Sequence, residues 1–279
     1  MEHKKRISGM DAVRSVAAII ILIYHYPNHF GNYMTSVPFA TILGIIYDYG
    51  LYMVEVFFAI SGFVMFYNCY DKIVNKDIQF CDYILKRIYR LYPLFLITTI
   101  IVGVEQLIIW INWHSVAVHT SNDIFSFIFT IFLMNAGIIT RDIGFNGPAW
   151  TIPCEILCYL LLFVLIKLVD GKNKYWVGCG ALFIIMLAEF VFPQMNIALF
   201  NSITARGIKN FFVGVLLCIV YEMIYNTRFR NAFALISLGI GINTFGAILA
   251  GDENIMVSKG GGNNNICFCP QCAFVCNSY

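Results

Sequence analysis

This sequence has few charged residues. Only 12% of its 279 residues are charged, whereas 59% are hydrophobic. A soluble domain carries about a quarter of its residues as charged side chains, because it must cover its surface against water. The composition therefore excludes an ordinary soluble protein and predicts an all-α, polytopic membrane bundle.

Two further absences narrow the class of protein. Basic stretches interleaved with aromatic residues on a polar face are missing, which argues against a nucleic-acid partner. No internal repeat or soluble domain is visible.

The ten cysteines do not predict a disulfide framework, because six of them lie in or beside apolar runs, where cysteine behaves as a small buried hydrophobe. These six are Cys69, Cys81, Cys154, Cys158, Cys179 and Cys218.

The sequence contains several long apolar runs. A helix needs roughly 20 apolar residues to cross the hydrocarbon core. The runs interpreted as spans are 11–27, 44–67, 88–111, 150–169, 175–192, 207–225 and 232–250, and a further run, 124–140, is ambiguous. The basic segment from Met1 to Arg6 precedes the first run, and no small-residue cleavage site follows at a convincing distance. This pattern is typical of an uncleaved signal anchor.

The positions of Lys and Arg decide the ambiguous run. The positive-inside rule places Lys4, Lys5 and Arg6 in the cytoplasm, so loop 28–43, which has no Lys or Arg, faces outward. If 124–140 crossed the membrane, the basic residues of 167–174 and 228–230 would lie outside. If this run is instead a re-entrant or interfacial helix, both groups return to the cytoplasm. We therefore predict seven spans, one half-span and a cytoplasmic N-terminus.

The last segment, 251–279, changes abruptly to a Gly-, Asn- and Cys-rich composition. We expect an irregular tail, separate from a membrane domain at 1–250. Its four cysteines are Cys267, Cys269, Cys272 and Cys276. Their spacing fits no common zinc site well, so no metal is expected.

Four ionisable residues stand inside predicted spans: Arg14, His25, Glu55 and Glu155. Such residues are costly unless they are paired or solvated, so each is a functional candidate. Arg14 and His25 are eleven residues apart, and eleven helical steps of about 100° place them on one face, about 16 Å apart along the axis. Each also has a simpler interpretation, because Arg14 can snorkel and His25 can be an interfacial residue.

Two carboxylates need partners of their own. Glu55 lies near the middle of a span and must pair with a cation or take up a proton; an Arg14–Glu55 pair is the simplest structural interpretation. Beyond Glu55, Ser61 and Gly62 form a small-residue notch that lets a helix or a ligand approach closely. Glu155 begins a helix just after Trp150, on the same predicted outer side as His25.

On the cytoplasmic side, Arg87 and Arg90 stand at the entrance of a span. They are either a positive-inside flank or a phosphate site, for which arginine forks are well suited. The residues alone leave these two interpretations open.

Together these residues resemble the acyltransferase-3 family, membrane-bound O-acyltransferases that decorate bacterial surface sugars. Arg14-x10-His25 is similar to the family's Arg/Lys-x10-His signature, and the stretch Glu55-x-Phe-Phe-x-x-Ser61-Gly62-Phe resembles its acidic-x-Phe-Phe-x-x-Ser-Gly-Phe segment. Arg87-x-x-Arg90-x-x-Pro93 and Trp150-x4-Glu155-x3-Tyr159 match two further motifs. The four motifs occur in order over roughly residues 7–225. The family core has more spans than are counted here, so we expect an acyltransferase domain truncated at its C-terminal end.

The resemblance implies transfer of an acyl group, typically acetyl, from cytoplasmic acyl-CoA to a carbohydrate hydroxyl on the outer side of a bacterial inner membrane. His25 would act as base or carry the acyl group, and Arg14 would hold the thioester arm or stabilise developing negative charge. Glu155 joins His25 and Arg14 as a catalytic candidate and would position the acceptor together with Trp150. Arg87 and Arg90 would bind the CoA phosphates, and Glu55 would orient Arg14. The residues expected to bind substrate are Glu55, Ser61, Gly62 and Trp150.

Two other functions remain open from the sequence. In a transporter or flippase, Arg14, Glu55 and Glu155 would line a translocation path. In a non-catalytic scaffold or an inactive truncated relative, the same residues would serve stability alone.

Overall fold

The computed structural model describes residues 8–30, 39–114, 123–139, 145–169, 173–195, 197–225 and 227. Regular structure in these ranges is helical, apart from one isolated bridge between Ile197 and Phe200. The helices are α1 Ser8–Phe30, α2 Ala40–Tyr49, α3 Met53–Val74, α4 Phe80–Trp113, α5 Ile124–Ile131, α6 Thr151–Leu168, α7 Lys174–Phe190, α8 Phe192–Met195 and α9 Ser202–Tyr225. Two 3₁₀ helices, Gly50–Tyr52 and Gly147–Trp150, lead into α3 and α6. The predicted all-α class is confirmed.

The chain divides into two compact units, 1–222 and 223–279. Nearly all of the described structure belongs to the first unit. In the second, the description covers the end of α9 and residue 227. The predicted span 232–250, the tail 251–279 with its four cysteines and the boundary at residue 250 lie outside the described residues, as does the basic segment 1–6.

Several segments are long and apolar enough to cross a membrane. Within the described part of the chain there are five, Gly9–Tyr26, Ile42–Val74, Phe80–Asn112, Gly147–Leu168 and Ser202–Tyr225. Each coincides with a predicted span. The predicted span 175–192 falls mainly on α7, a helix of 17 residues. At 1.5 Å per residue α7 is about 26 Å long, slightly less than a hydrocarbon core of about 30 Å.

The ambiguous run 124–140 does not form a spanning helix. It begins with α5, which has eight residues and is therefore about 12 Å long. The Asp123 carboxylate caps α5 by accepting the Ser126 N–H at 3.0 Å. Turns follow, in which Asn135 and Ala136 are fully buried. Irregular backbone at membrane depth is tolerated where protein buries it, so this geometry agrees with a segment that does not cross.

Helices α3 and α9 meet backbone to backbone through two glycines. A Cβ atom at Gly62 of α3 would overlap the Phe211 carbonyl of α9, and one at Gly214 of α9 would overlap the Ala59 carbonyl of α3. Small residues permit such close approach in membranes, where lipid tails are as apolar as the side chains. The predicted notch is therefore occupied by a helix at Gly62.

Helices α1 and α4 present rows of exposed apolar side chains. On α1 these are Val13, Val16, Ile19 and Leu22; on α4 they include Leu94, Ile97, Ile101, Val104, Ile108 and Ile111. A contiguous apolar surface of this kind is unfavourable in water but suits contact with lipid tails. The fold is thus that of a membrane protein, with α3, α6 and α9 contributing most of the buried core.

Candidate functional site

A half-buried carboxylate, that of Glu155, lies where α3 and α6 meet. The Glu155 Oε1 atom accepts hydrogen bonds from the Ser61 and Tyr159 hydroxyl groups. The two hydroxyl oxygens are themselves 3.0 Å apart. Ser61 is 4% exposed and Tyr159 is 5% exposed. We call Ser61, Glu155 and Tyr159 the carboxylate cluster.

Local geometry explains how the carboxylate cluster forms. Tyr159 follows Glu155 by four residues, so both lie on one face of α6, whereas Ser61 reaches them from α3. Two hydroxyl donors stabilise a carboxyl group that would otherwise be costly among apolar side chains. Among the described residues, none donates a hydrogen bond to Glu155 Oε2. The described residues thus hold one carboxylate oxygen and leave the other able to accept a further hydrogen bond.

An aromatic pair lies beside the carboxylate cluster. The half-buried Trp150 packs against Phe58 of α3, with ring centroids 5.9 Å apart. Gly207 of α9 fits against the same Phe58 ring and the Cys154 thiol, because a Cβ atom there would lie 2.9 Å from the ring. Trp150 and Glu155 therefore flank the first turn of α6 as the sequence predicts.

The partner of Glu55 differs from the one that the sequence favours. Glu55 Oε1 forms an ion pair with Arg206 Nε of α9 at 3.0 Å, and Arg206 Nη2 also donates to the Leu51 carbonyl at 3.3 Å. The proposed Arg14–Glu55 pair is therefore corrected to Arg206–Glu55. The physical reason is the close approach of α9 to α3, which brings together residues 151 positions apart in the chain. The sequence analysis gives Arg206 no role. The one sequence signal for it is a cation next to a small residue, Gly207, close to the start of a predicted span.

Arg14 and His25 share the continuous helix α1, and both are half-buried. His25 contacts Tyr24 edge to face, with ring centroids 5.2 Å apart. Tyr24 packs closely on Gly50, where a Cβ atom would lie 2.7 Å from the tyrosine Cβ. His25 is therefore near the beginning of α3, the end that carries Glu55. Within the described residues Arg14 forms no hydrogen bond or ion pair.

The structure separates the two arginines predicted to bind phosphates. Arg87 is half-buried, with Nη2 3.3 Å from the Cys69 sulfur, whereas Arg90 is exposed. One turn before Arg87, the Tyr83 hydroxyl donates to the Tyr159 carbonyl at 3.2 Å. Arg87 is thus held against α3, and Arg90 does not share its surroundings.

Of the predicted site residues, the structure joins Ser61 and Glu155 directly and places Trp150 beside them. Gly62 packs against α9, and the roles assigned to all these residues stay predictions. The sequence motifs did not point to Tyr83, which bonds to the Tyr159 backbone, or to Arg206, which pairs with Glu55. Tyr159 was named only as a position in a motif, without a role. Nowhere in the described ranges do three or more His, Cys, Asp or Glu side chains gather as a metal site would require.

Comparison with known proteins places these features in a family. The model of the family described as "Acyltransferase domain" matches residues 7–276. An O-acetyl transferase of Shigella phage Sf6 is 30% identical over 187 residues, which cover 65% of this chain and 50% of the phage protein. Acyltransferase MdmB of Streptomyces mycarofaciens is 25% identical over 194 residues, covering 68% of this chain and 47% of that protein.

The chain spans about half the length of these two curated relatives. No solved structure matches it.

Proposed function

This chain belongs to the acyltransferase-3 family, and from that membership we propose that it is an O-acyltransferase that moves an acyl group across the membrane. The donor is a cytoplasmic acyl-CoA, acetyl-CoA in the first instance, and the acceptor is a hydroxyl group of a cell-surface or exported carbohydrate. The name of the phage relative, O-acetyl transferase, supports acetyl as the group transferred. The single observation that carries the proposal is the carboxylate cluster, in which the described residues donate to Oε1 of Glu155 and not to Oε2.

The carboxylate cluster suits the binding of a hydroxylated acceptor. Ser61 and Tyr159 hold Oε1 of Glu155, so Oε2 accepts a hydrogen bond from a sugar hydroxyl group. The half-buried Trp150 offers an aromatic face to the sugar ring at the same turn of α6. Glu155 and Trp150 thereby position the acceptor.

A hydroxyl group is a poor nucleophile and needs a base. We assign this role to His25, since a neutral imidazole accepts a proton at physiological pH. The acceptor oxygen bonds to the thioester carbonyl carbon, its proton passes to His25, the carbon–sulfur bond breaks and CoA leaves as its thiol with that proton. Arg14, about 16 Å further along α1, holds the thioester arm of the donor.

The proposed orientation places the N-terminus in the cytoplasm of a bacterial inner membrane. Its support is the charge of the last turn of α3, the segment after it and the first turns of α4, where Lys72, Lys76 and Lys86 are exposed. A donor from the cytoplasm then approaches from the side of Arg87 and Arg90, and the acceptor from the side of Trp150 and His25.

Release of CoA from acetyl-CoA by membranes that contain the chain tests this function. We expect the wild type to release CoA and His25→Ala to lose about 100-fold or more, because a positioned general base contributes 10²–10⁴-fold. His114→Asn is the matched control, since His114 is an exposed histidine that caps the end of α4 in a left-handed conformation, which asparagine tolerates.

Two results would contradict this proposal, the first in its choice of base and the second in the activity itself. Equal CoA release by the wild type and His25→Ala would remove His25 from the mechanism. Movement of an intact carbohydrate across the membrane without thioester consumption would favour a transporter.

A further inference from the structure

The ion pair between Glu55 and Arg206 uses only part of each side chain. Arg206 Nε donates to Glu55 Oε1 at 3.0 Å, and Arg206 Nη2 donates to the Leu51 carbonyl at 3.3 Å. Within the part of the chain that the structure describes, no residue donates to Glu55 Oε2, and Arg206 Nη1 donates to none. The side chains of Glu55 and Arg206 are 28% and 21% exposed, so the pair is not sealed inside the bundle.

One side of this pair leads to His25. Arg206 holds the carbonyl of Leu51, which belongs to the 3₁₀ helix before α3. The residue before Leu51 is Gly50, on which Tyr24 of α1 packs, and the Tyr24 ring contacts His25 edge to face. The guanidinium of Arg206 therefore supports the backbone turn that lies against the end of α1 carrying His25.

The other side of the pair leads to Trp150. Glu55 and Phe58 are three residues apart and are therefore neighbours on the surface of α3. Gly207, the residue after Arg206, packs on the same Phe58 ring, whose centroid is 5.9 Å from that of Trp150. Along α3, Glu55 is about 4.5 Å from the level of Phe58 and roughly 8 Å from the level of Gly50. The ion pair thus lies between Trp150 and His25.

An ion pair with these open atoms suits an uncharged molecule that carries several hydroxyl groups. A lone guanidinium would attract phosphate or carboxylate, but here the carboxylate of Glu55 already offsets its charge. A hydroxyl group both donates and accepts hydrogen bonds. One hydroxyl group can therefore donate to Glu55 Oε2 while its neighbour accepts from Arg206 Nη1. Adjacent hydroxyl groups of a sugar ring present this combination.

A second ion pair shows that pairing alone does not single out this site. Lys174 and Glu222 are also 3.0 Å apart, and their side chains are 29% and 20% exposed. Glu222 lies in the last turn of α9, about 24 Å along the helix axis from Arg206. Position between His25 and Trp150 is what distinguishes the pair of Glu55 and Arg206.

We propose that Glu55 and Arg206 bind two adjacent hydroxyl groups of the acceptor sugar and thereby determine which of its hydroxyl groups is presented to His25. This inference rests on the proposed acyl transfer. Glu55 Oε2 accepts from one hydroxyl group and Arg206 Nη1 donates to the next, while the transfer itself takes place at His25. The acceptor is then an uncharged sugar with neighbouring hydroxyl groups.

Acetylation of simple glycosides tests this role. The purified full chain in detergent receives acetyl-CoA and the methyl glycoside of glucose, galactose, mannose or rhamnose, and both CoA release and acetylated glycoside are followed. We expect Glu55→Gln and Arg206→Gln each to raise KM for the glycoside about tenfold or more, because a hydrogen bond to a charged group corresponds to about 10- to 100-fold in affinity. KM for acetyl-CoA should change little. The position of the acetyl group, determined by NMR, should change from one hydroxyl group to a mixture.

The matched control is Glu222→Gln, which breaks an ion pair of the same length and similar exposure at the other end of α9. Its melting temperature should fall like that of Glu55→Gln, while KM for the glycoside and the position of the acetyl group stay those of the wild type. If Glu222→Gln raised this KM as much as Glu55→Gln does, lost stability would explain both effects and the inference would fail.

Arg206→Lys separates binding from packing and decides if Arg206→Gln does not fold. It keeps a cation for Glu55 but not the planar fork, so we expect a melting temperature near that of the wild type and a KM for the glycoside raised roughly fivefold. Wild-type KM and a single acetylated position in this variant would make the pair structural.

The wild type distinguishes failure of this inference from failure of the proposed function. CoA release without acetylation of any of the four glycosides would overturn the inference alone. Neither CoA release nor acetylated glycoside would overturn the proposed function together with it.

Discussion

The contact between α3 and α9 at Gly62 gives the sharpest test of the packing. A Cβ atom at this position would overlap the Phe211 carbonyl oxygen, and a Cβ atom at Gly214, three residues further along α9, would overlap the Ala59 carbonyl oxygen in the same way. The obstacle is backbone rather than the tip of a flexible side chain. Gly62→Ala therefore forces the two helices apart by on the order of 1 Å before atoms reach normal contact distances.

The expected loss of stability combines two opposing effects. Overpacking of a well-packed core costs about 1–3 kcal/mol, occasionally more. Alanine in place of a helical glycine raises the free energy of unfolding by up to about 1 kcal/mol, because alanine has the higher helix propensity. The backbone overlap at Gly62 belongs at the upper end of the overpacking range, so we expect a net loss of about 2 kcal/mol. At roughly 2–4 °C per kcal/mol, the melting temperature falls by about 4–8 °C.

Thermal unfolding of the purified full chain in detergent, followed by circular dichroism, measures this shift. Gly44→Ala is the matched control, because Gly44 lies within α2 and a Cβ atom there meets nothing within 4 Å. Its melting temperature should stay constant or rise. Acyl transfer by Gly62→Ala should also fall, since Ser61 is the adjacent residue. Equal melting temperatures for Gly62→Ala and Gly44→Ala would refute the argument that α3 and α9 touch through their backbones.

Three further predictions use the polar contacts. Glu55→Gln leaves Arg206 without its carboxylate partner. Because the side chains of Glu55 and Arg206 are only 28% and 21% exposed, we expect the free energy of unfolding to fall by about 1–2 kcal/mol. The double variant Glu55→Gln/Arg206→Gln should lose less stability, and melting temperatures measure both changes. Lys209→Gln breaks a pair with Glu189 whose side chains are 36% and 46% exposed, so the melting temperature should change by less than about 2 °C. Tyr159→Phe removes one of the two hydrogen-bond donors to Glu155. Acetyl-CoA turnover should fall about tenfold while the melting temperature stays similar. Turnover equal to that of the wild type would contradict this prediction.

Local features of the site were predictable from the sequence. The shared face of Arg14 and His25 follows from helix geometry alone, and α1 is continuous between them. The run 124–140 was assigned from the positions of basic residues, and its short helix α5 agrees with that assignment. The separation of Arg87 from Arg90 could not be predicted, because the neighbours of each depend on how α4 packs against α3 and α6.

Composition and spacing thus determined by themselves that the chain is a helical membrane protein of the acyltransferase-3 family, since hydrophobic length and motif order are properties of contiguous sequence. Tertiary structure alone decided the partners of the polar groups. Ser61 meets Glu155 across 94 positions and Glu55 meets Arg206 across 151 positions. The physical reason is that a carboxylate in an apolar bundle takes whichever donor the packing of helices brings within hydrogen-bond distance, and glycines 62, 207 and 214 determine that packing.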